Sequence, residues 1–181
     1  MIEVEVKSPL KDLTEVRKIL IRQNAEALGS VEELDVYFTH PFRNFAETDE
    51  VLRIRYTTNG KHYVTYKGPK VKAKARSRIE VHVSVEDGNA FREIFEKLGF
   101  KEVASVKKFR EKWRLEDLQV YLDKVEELGF FIEVEALVEN NKDISLAESR
   151  IFNLLKTLGV DPKNTIKESY LELILRKKNI I

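Results

Sequence analysis

The six residues Ile2–Lys7, which read IEVEVK, alternate a branched apolar side chain with a charged one. Successive side chains of a β-strand point to opposite faces of the sheet, so this alternation predicts a strand with one apolar and one charged row. Glu3, Glu5 and Lys7 form the charged row. Two carboxylates beside an ammonium group could chelate a divalent cation and neutralise the anion that it carries, although a solvated strand face has the same pattern.

Similar alternation recurs along the rest of the chain. It predicts strands over residues 33–39, 51–56, 63–67, 76–85, 103–115, 118–124 and 130–138. Helical spacing of apolar residues predicts a helix from Leu10 to a terminating Gly29 and another after Asp87. Two more helices are predicted over residues 145–158 and 166–177, and loops over residues 40–50 and 70–74.

These elements predict an α+β fold in a single domain over residues 1–181. About eight strands with four helices outside are consistent with a single closed or nearly closed sheet. Helices on the outer apolar face would leave the charged rows pointing inward. Buried charges of both signs are costly unless ligands satisfy them, and a polyanion with its divalent metal ions is the simplest such ligand.

Composition limits the chemistry that the chain can perform. Its 32 basic and 31 acidic residues give a net charge of +1, so no global field attracts nucleic acid or a membrane surface. The chain has no cysteine, which excludes disulfides and thiolate chemistry and leaves oxygen ligands as the main metal-binding groups. No apolar run is long enough to span a membrane, and we expect a cytoplasmic protein.

The opening Glu3-x-Glu5-x-Lys7 resembles the ExExK signature of the CYTH superfamily, the triphosphate tunnel metalloenzymes. That superfamily includes class IV adenylyl cyclases, thiamine triphosphatases and inorganic triphosphatases. The other elements that resemble the family follow in its order: Tyr37-Phe38, Leu52-Arg53-Ile54-Arg55, Thr65-Tyr66-Lys67-Gly68-Pro69, Arg78-x-Glu80, Lys108-x-Arg110, Leu122-Asp123-x-Val125, Leu128-Gly129 and Glu133-x-Glu135. The resemblance covers nearly the whole chain, and it implies a short antiparallel eight-stranded barrel, closed or nearly closed, with the helices packed outside.

The resemblance implies a role for each matching residue. The metal ligands would be Glu3, Glu5, Asp123, Glu133 and Glu135, binding Mg²⁺ or Mn²⁺ as a pair of ions. Phosphate oxygens would be bound by Lys7, Arg53, Arg55, Lys67, Arg78, Lys108 and Arg110, while Glu80 would orient basic groups. The catalytic set would be Glu5, Lys7, Lys67, Arg110 and Glu135.

The activity that the resemblance implies is class IV adenylyl cyclase-like, converting ATP to cyclic AMP and pyrophosphate. Two alternatives stay open: a triphosphatase acting on tripolyphosphate, thiamine triphosphate or a nucleoside triphosphate, and a non-catalytic protein that binds polyphosphate or nucleotide. The expected partner is a small-molecule triphosphate rather than nucleic acid or a membrane, and a homodimer is compatible with the family. Phe42 and Phe45 could stack on adenine, although loop aromatics more often bury themselves against the protein body.

Overall fold

The computed structural model describes residues 2–69 and 76–179, apart from the side chains of residues 76–78 and Asn141. Nine strands lie within that part of the chain: β1 (Ile2–Leu10), β2 (Glu26–Thr39), β3 (Val51–Thr57), β4 (His62–Lys67), β5 (Arg76–Arg78), β6 (Glu80–Val85), β7 (Lys101–Leu115), β8 (Leu118–Val125) and β9 (Gly129–Val138). The helices are α1 (Thr14–Arg22), α2 (Phe45–Thr48), α3 (Gly88–Lys97), α4 (Ile144–Thr157) and α5 (Tyr170–Lys177).

The described chain divides into two compact units built from alternating segments. The first unit holds residues 2–30, 76–77 and 109–167, and the second holds residues 31–69, 78–108 and 168–179. The prediction of a single domain stays a prediction. No helix within residues 2–69 and 76–179 is long and apolar enough to cross a lipid bilayer.

In the first unit, hydrogen-bonded neighbours follow the order β5-β1-β9-β8-β7. Strands β1 and β9 are antiparallel, with Val4 opposite Ala136 and Val6 opposite Val134, and β8 continues antiparallel to β9. The apolar side chains of these strands form a buried core with Val16 and Leu20 of α1 and with the apolar side of α4. The charged side chains of β1 therefore lie on the other face of the sheet.

In the second unit, β2, β3, β4 and β6 follow one another as antiparallel neighbours after β7. The buried residues Val36, Leu52 and Ile54 form a separate core, against which Phe91 and Phe95 of α3 pack. Helix α3 begins where it was predicted, because the side chain of its N-cap residue Asp87 accepts hydrogen bonds from two backbone N–H groups.

The first helix is shorter than the sequence predicts. Helix α1 ends at Arg22, and Asn24 takes a left-handed backbone conformation immediately afterwards, at φ 56°. Gly29, which was predicted to end the helix, lies instead inside β2 with φ 94°. The glycine therefore marks an irregularity in a strand, where a positive φ is also most easily adopted by a residue without Cβ.

Candidate active site

The charged row of β1 lies beside the charged row of β9 in the first unit. Their antiparallel register sets Glu5 opposite Glu135 and Lys7 opposite Glu133. Side chains directly opposite one another on the same face of a sheet are close neighbours. The register therefore brings three predicted functional carboxylates and a predicted functional ammonium group together on one face.

Three of these carboxylates converge into a group that could hold a metal ion. One oxygen from each of Glu3, Glu5 and Glu135 lies within 4.8 Å of the others. Burial raises the pKa of Glu135 well above its usual range, and the carboxylates of Glu3 and Glu5 raise it further. Close, partly buried oxygen ligands with excess negative charge fit Mg²⁺ or Mn²⁺, because a divalent cation would relieve the repulsion between them.

The other two predicted metal ligands pair with cations instead. Glu133 accepts from Lys7, whose Nζ lies 2.8 Å from its Oε1, and also from the guanidinium of Arg110. Asp123 binds the same guanidinium through two hydrogen bonds, from Nε at 2.7 Å and from Nη2 at 2.5 Å. The structure thus separates the predicted ligands into a group of three carboxylates and a pair that neutralises Arg110 and Lys7.

Lys7 and Arg110, the predicted phosphate-binding cations of this unit, are each held on more than one side. Lys7 is only 1% exposed, and its Nζ also lies 3.3 Å from Glu5. Arg110 lies over the ring of Tyr121, with its Cζ 4.3 Å from the ring centroid. The Tyr121 hydroxyl also forms a hydrogen bond with Glu135. Tyr121 therefore contacts both a predicted phosphate-binding group and a predicted metal ligand, although the sequence analysis gave it no role.

In the second unit, three predicted phosphate-binding cations surround Asp35. Arg55 donates to both carboxylate oxygens, at 2.6 and 2.8 Å, and Arg53 donates to Oδ2 at 3.3 Å. Lys108 lies 3.0 Å from the same oxygen. Burial alone would raise the pKa of Asp35, but the charges of Arg53, Arg55 and Lys108 outweigh it and hold that pKa well below its usual range.

Glu33 supplies a second buried negative charge to the same group. Its Oε2 lies 3.0 Å from Arg55 Nη1 and 3.0 Å from Lys108 Nζ. Glu33 and Asp35 were not among the residues predicted from the sequence, although their spacing in β2 puts them on one face. Because deeply buried arginines and lysines require opposite charges nearby, that spacing was the signal that could have identified them.

Lys67, another predicted phosphate-binding cation, is the last residue of β4 and lies on the same face of that strand as Thr65. Its Nζ is 2.8 Å from Glu80, which agrees with the expected role of Glu80 in orienting basic groups. On the same face of β4, the Thr65 hydroxyl accepts a hydrogen bond from Arg53 at 3.3 Å. The same hydroxyl lies 2.9 Å from Nδ1 of His82.

Two predictions fall outside what the structure describes. The backbone of Arg78 lies in β5, but its side chain, predicted to bind phosphate, is outside the described part of the chain. The basic loop predicted over residues 70–74 is also outside it. The two aromatic residues of the loop predicted over residues 40–50 are described: Phe45 is buried and begins the short helix α2, so that part of the segment is not loop, whereas Phe42 is 95% exposed.

The fold and the polar faces define an α+β protein built on antiparallel strands, with helices on the apolar side and buried charges of both signs on the other. The model of the CYTH domain matches residues 1–170. The chain therefore belongs to the CYTH family. This confirms the predicted family, and the predicted α+β antiparallel fold class with outer helices is confirmed as well.

The chain is similar to known proteins over nearly all of its length. It is 42% identical over 175 residues to a Methanocaldococcus jannaschii protein named "Putative adenylate cyclase MJ0240", covering 96% of this chain and 98% of the relative. The solved structure of the PH1819 protein from Pyrococcus horikoshii OT3 is 40% identical, with a TM-score of 0.89, and covers 97% of this chain and 99% of that one.

A more distant likeness is to HpAC1 from Hippeastrum, a protein described as having a dominant triphosphatase activity. Its TM-score is 0.68 at 15% identity, over 98% of this chain and 95% of that one. At this identity the likeness shows the fold alone.

Proposed function

We propose that this protein is a metal-dependent enzyme acting on triphosphates, and that its reaction is class IV adenylyl cyclase-like. The observation that carries the proposal is the convergence of Glu3, Glu5 and Glu135 to within 4.8 Å, with Lys7 only 3.3 Å from Glu5. A carboxylate group for a divalent cation next to a fixed ammonium group suits a phosphate ligand that carries such a cation. Family membership and the name of the M. jannaschii relative support this choice.

The carboxylates of Glu3, Glu5 and Glu135 would hold Mg²⁺ or Mn²⁺, in a pair of ions. Such ions supply positive charge that stabilises the phosphate oxygens during phosphoryl chemistry. Asp123 and Glu133 position Arg110 and Lys7, and their remaining oxygen lone pairs would bind metal in the role predicted for them. Phosphate oxygens would accept hydrogen bonds from Lys7, Arg53, Arg55, Lys67, Arg78, Lys108 and Arg110.

In the proposed cyclase reaction, the ribose 3′-oxygen of ATP forms a bond with the α-phosphorus. The bond from that phosphorus to the bridging oxygen of the β-phosphate breaks, pyrophosphate leaves, and the hydroxyl proton passes to solvent or to a carboxylate. Negative charge develops on the oxygens around the phosphorus, so fixed cations such as Lys7 and Arg110 lower the barrier without moving during the reaction.

Product analysis with ATP tests this proposal. Purified protein with Mg²⁺ or Mn²⁺ is expected to form cyclic AMP and pyrophosphate, and a chelator should abolish the reaction. Glu135→Gln should reduce turnover by at least about 100-fold, because it removes a charged ligand. Glu126→Gln is the matched control, since Glu126 is exposed in the same unit. Inactivity on ATP, tripolyphosphate and thiamine triphosphate alike would contradict the proposal.

Triphosphate hydrolysis is the second candidate. The same three carboxylates and the adjacent ammonium group of Lys7 can also stabilise attack by water on a terminal phosphorus, and this favours it. In that case water attacks the terminal phosphorus, so ATP gives ADP and phosphate in the same assay. A non-catalytic binding protein would instead be stabilised thermally by tripolyphosphate without forming any product.

A homodimer and a cytoplasmic location are two further predictions, and each has its own test. A homodimer should elute at twice the mass of the 21.1 kDa chain in size-exclusion chromatography with light scattering. A cytoplasmic location predicts recovery of the protein in the cytoplasmic fraction of its host cell.

A further inference from the structure

Two aromatic rings stack on each other in the second unit. Tyr63 of β4 and His82 of β6 have ring centroids 4.8 Å apart and planes only 20° from parallel. The other ring contacts found within the described residues are T-shaped or tilted, such as those of Phe38 and Phe100 with Phe95. The Tyr63–His82 pair is thus a flat aromatic surface rather than part of an interlocked core.

The stacked pair lies on the polar face of the sheet, next to predicted phosphate-binding groups. Tyr63 is directly opposite Arg55 in the register of β3 and β4. Thr65 is directly opposite both Arg53 on β3 and His82 on β6. Because opposite residues share a face, the two rings and the two guanidinium groups lie on one side of the sheet, with Tyr63 beside Arg55 and with Thr65 between His82 and Arg53.

The imidazole of His82 is held by a hydrogen bond and remains partly exposed to solvent. Its Nδ1 is 2.9 Å from the Thr65 hydroxyl, which also accepts a hydrogen bond from Arg53. Burial lowers the pKa of His82. The charge of Glu80 raises this pKa, whereas the charges of Arg53 and Arg55 lower it, and the net lowering favours the neutral ring. The side chain of His82 nevertheless remains 44% exposed.

The exposed Phe42 is not an equivalent aromatic surface. It contacts His40, whose ring also contacts Phe45 and Phe100. Phe45 and Phe100 belong to the apolar core of the second unit, on the side that carries α3. Phe42 is therefore associated with the apolar side, whereas the arginines project from the polar side.

We propose that Tyr63 and His82 form the surface on which the planar base of a nucleoside triphosphate stacks, next to phosphate groups bound by Arg53 and Arg55. The inference rests on the proposed function and names the side chains that would bind the base of its nucleotide substrate. Stacking on an aromatic side chain depends little on which base is bound. The surface therefore distinguishes a ligand with a base from one without, but does not distinguish adenine from other bases. Loss of such a contact reduces affinity about 5-fold to 100-fold.

Paired ligands separate base binding from phosphate binding. Bis-methylene ATP and bis-methylene tripolyphosphate carry carbon in place of both bridging oxygens, so neither proposed reaction consumes them. Titration calorimetry with Mg²⁺ would measure both dissociation constants for the wild type, Tyr63→Leu, His82→Ala, Tyr63→Phe and the control Phe42→Ala. We expect the preference for the ATP analogue to fall about 10-fold or more in the first two variants. Tyr63→Phe and Phe42→Ala should retain it.

The possible outcomes distinguish this inference from the proposed function. An equal loss of affinity for both analogues, or an unchanged preference, overturns the base-binding surface and leaves the triphosphate enzyme standing. Wild-type protein that binds neither analogue contradicts the proposed function itself. If Tyr63→Leu or His82→Ala fails to fold, NMR of the wild type still decides: adenine protons should show NOEs to the rings of Tyr63 and His82, and NOEs only to other residues would overturn the inference.

Discussion

Asp35 is the side chain on which three cations of the second unit depend. It is 1% exposed and accepts from Arg53, Arg55 and Lys108. Asp35→Asn keeps the size of the side chain but leaves buried positive charge without its main partner. Breaking a buried ion pair in this way costs roughly 3–5 kcal/mol, so urea denaturation should show a reduction of that size in the free energy of unfolding.

The control for Asp35→Asn is Asp117→Asn, which removes an exposed carboxylate that pairs with Arg150. Exposed pairs contribute at most about 1 kcal/mol, so this variant should lose far less stability. Similar losses in the two variants would show that Asp35 does not hold the cations as described.

The pH dependence of stability follows from the same residue. The pKa of Asp35 is lower in the folded protein than in the unfolded chain, where it is about 3.9. Its stabilising effect is therefore fully present above that unfolded value and is lost as the pH falls through the folded one. The stability difference between wild type and Asp35→Asn should be constant near neutral pH and should shrink below about pH 4. A difference that grows on acidification would contradict the assignment.

Tyr121 orients two groups of the first unit, one through its hydroxyl and one through its ring. Tyr121→Phe removes the hydrogen bond to Glu135 and keeps the ring under Arg110. Because groups that orient metal ligands typically change affinity by about 10–100-fold, Mn²⁺ affinity measured by electron paramagnetic resonance should fall by about 10-fold. Unchanged Mn²⁺ affinity would mean that the hydroxyl does not assist a metal ligand.

The identity of the charged residues could be read from the sequence, but their partners could not. Alternation predicted that Arg53, Arg55 and Lys108 share the polar face, and the structure agrees. Which carboxylate meets which guanidinium depends on strand register, here Asp35 opposite Arg55. Register follows from contacts between segments that are distant in the sequence. Asp35 was therefore not predicted as a partner of the arginines, although it lies in a segment predicted to be a strand.

At the scale of single elements, the start of α3 was predictable, whereas α5 was predicted to begin at residue 166 and begins at Tyr170, after its Ser169 cap. Asp87 caps α3 through hydrogen bonds to the N–H groups of Asn89 and Ala90. The predicted end of α1 was wrong by several residues. The pattern of apolar side chains continues beyond Arg22, whereas the backbone turns at Asn24. Such a turn depends on local conformational preference that apolar spacing does not record.

Helix α5 begins with a reciprocal capping arrangement. The side chain of Ser169 accepts from the N–H of Glu172, and the Glu172 carboxylate accepts from the N–H of Ser169. Ser169→Ala should therefore lower the free energy of unfolding by about 1 kcal/mol. Ser145→Ala, at an exposed position in the first turn of α4, should have a smaller effect in the same urea denaturation series. Equal effects would show that the cap adds nothing.

At the scale of the whole molecule, the opening strand β1 contributes to both the core and the candidate site of the first unit. Its apolar row joins the core with α1 and α4, and its charged row faces the carboxylates of β9. The family and the fold class could be predicted from the ordered series of motifs that begins in β1. The split of the five predicted metal ligands into three converging carboxylates and two that pair with cations could not, because it depends on side-chain geometry.

The central claim is that Glu3, Glu5 and Glu135 together bind the divalent cation on which the chemistry depends. The most direct measurement is a crystal structure of the protein grown with Mn²⁺ and tripolyphosphate, using anomalous scattering to locate manganese. We predict an anomalous peak within ligand distance, about 2.2 Å, of oxygens from all three carboxylates. Manganese bound elsewhere, with these three carboxylates bound to no metal, would contradict the claim.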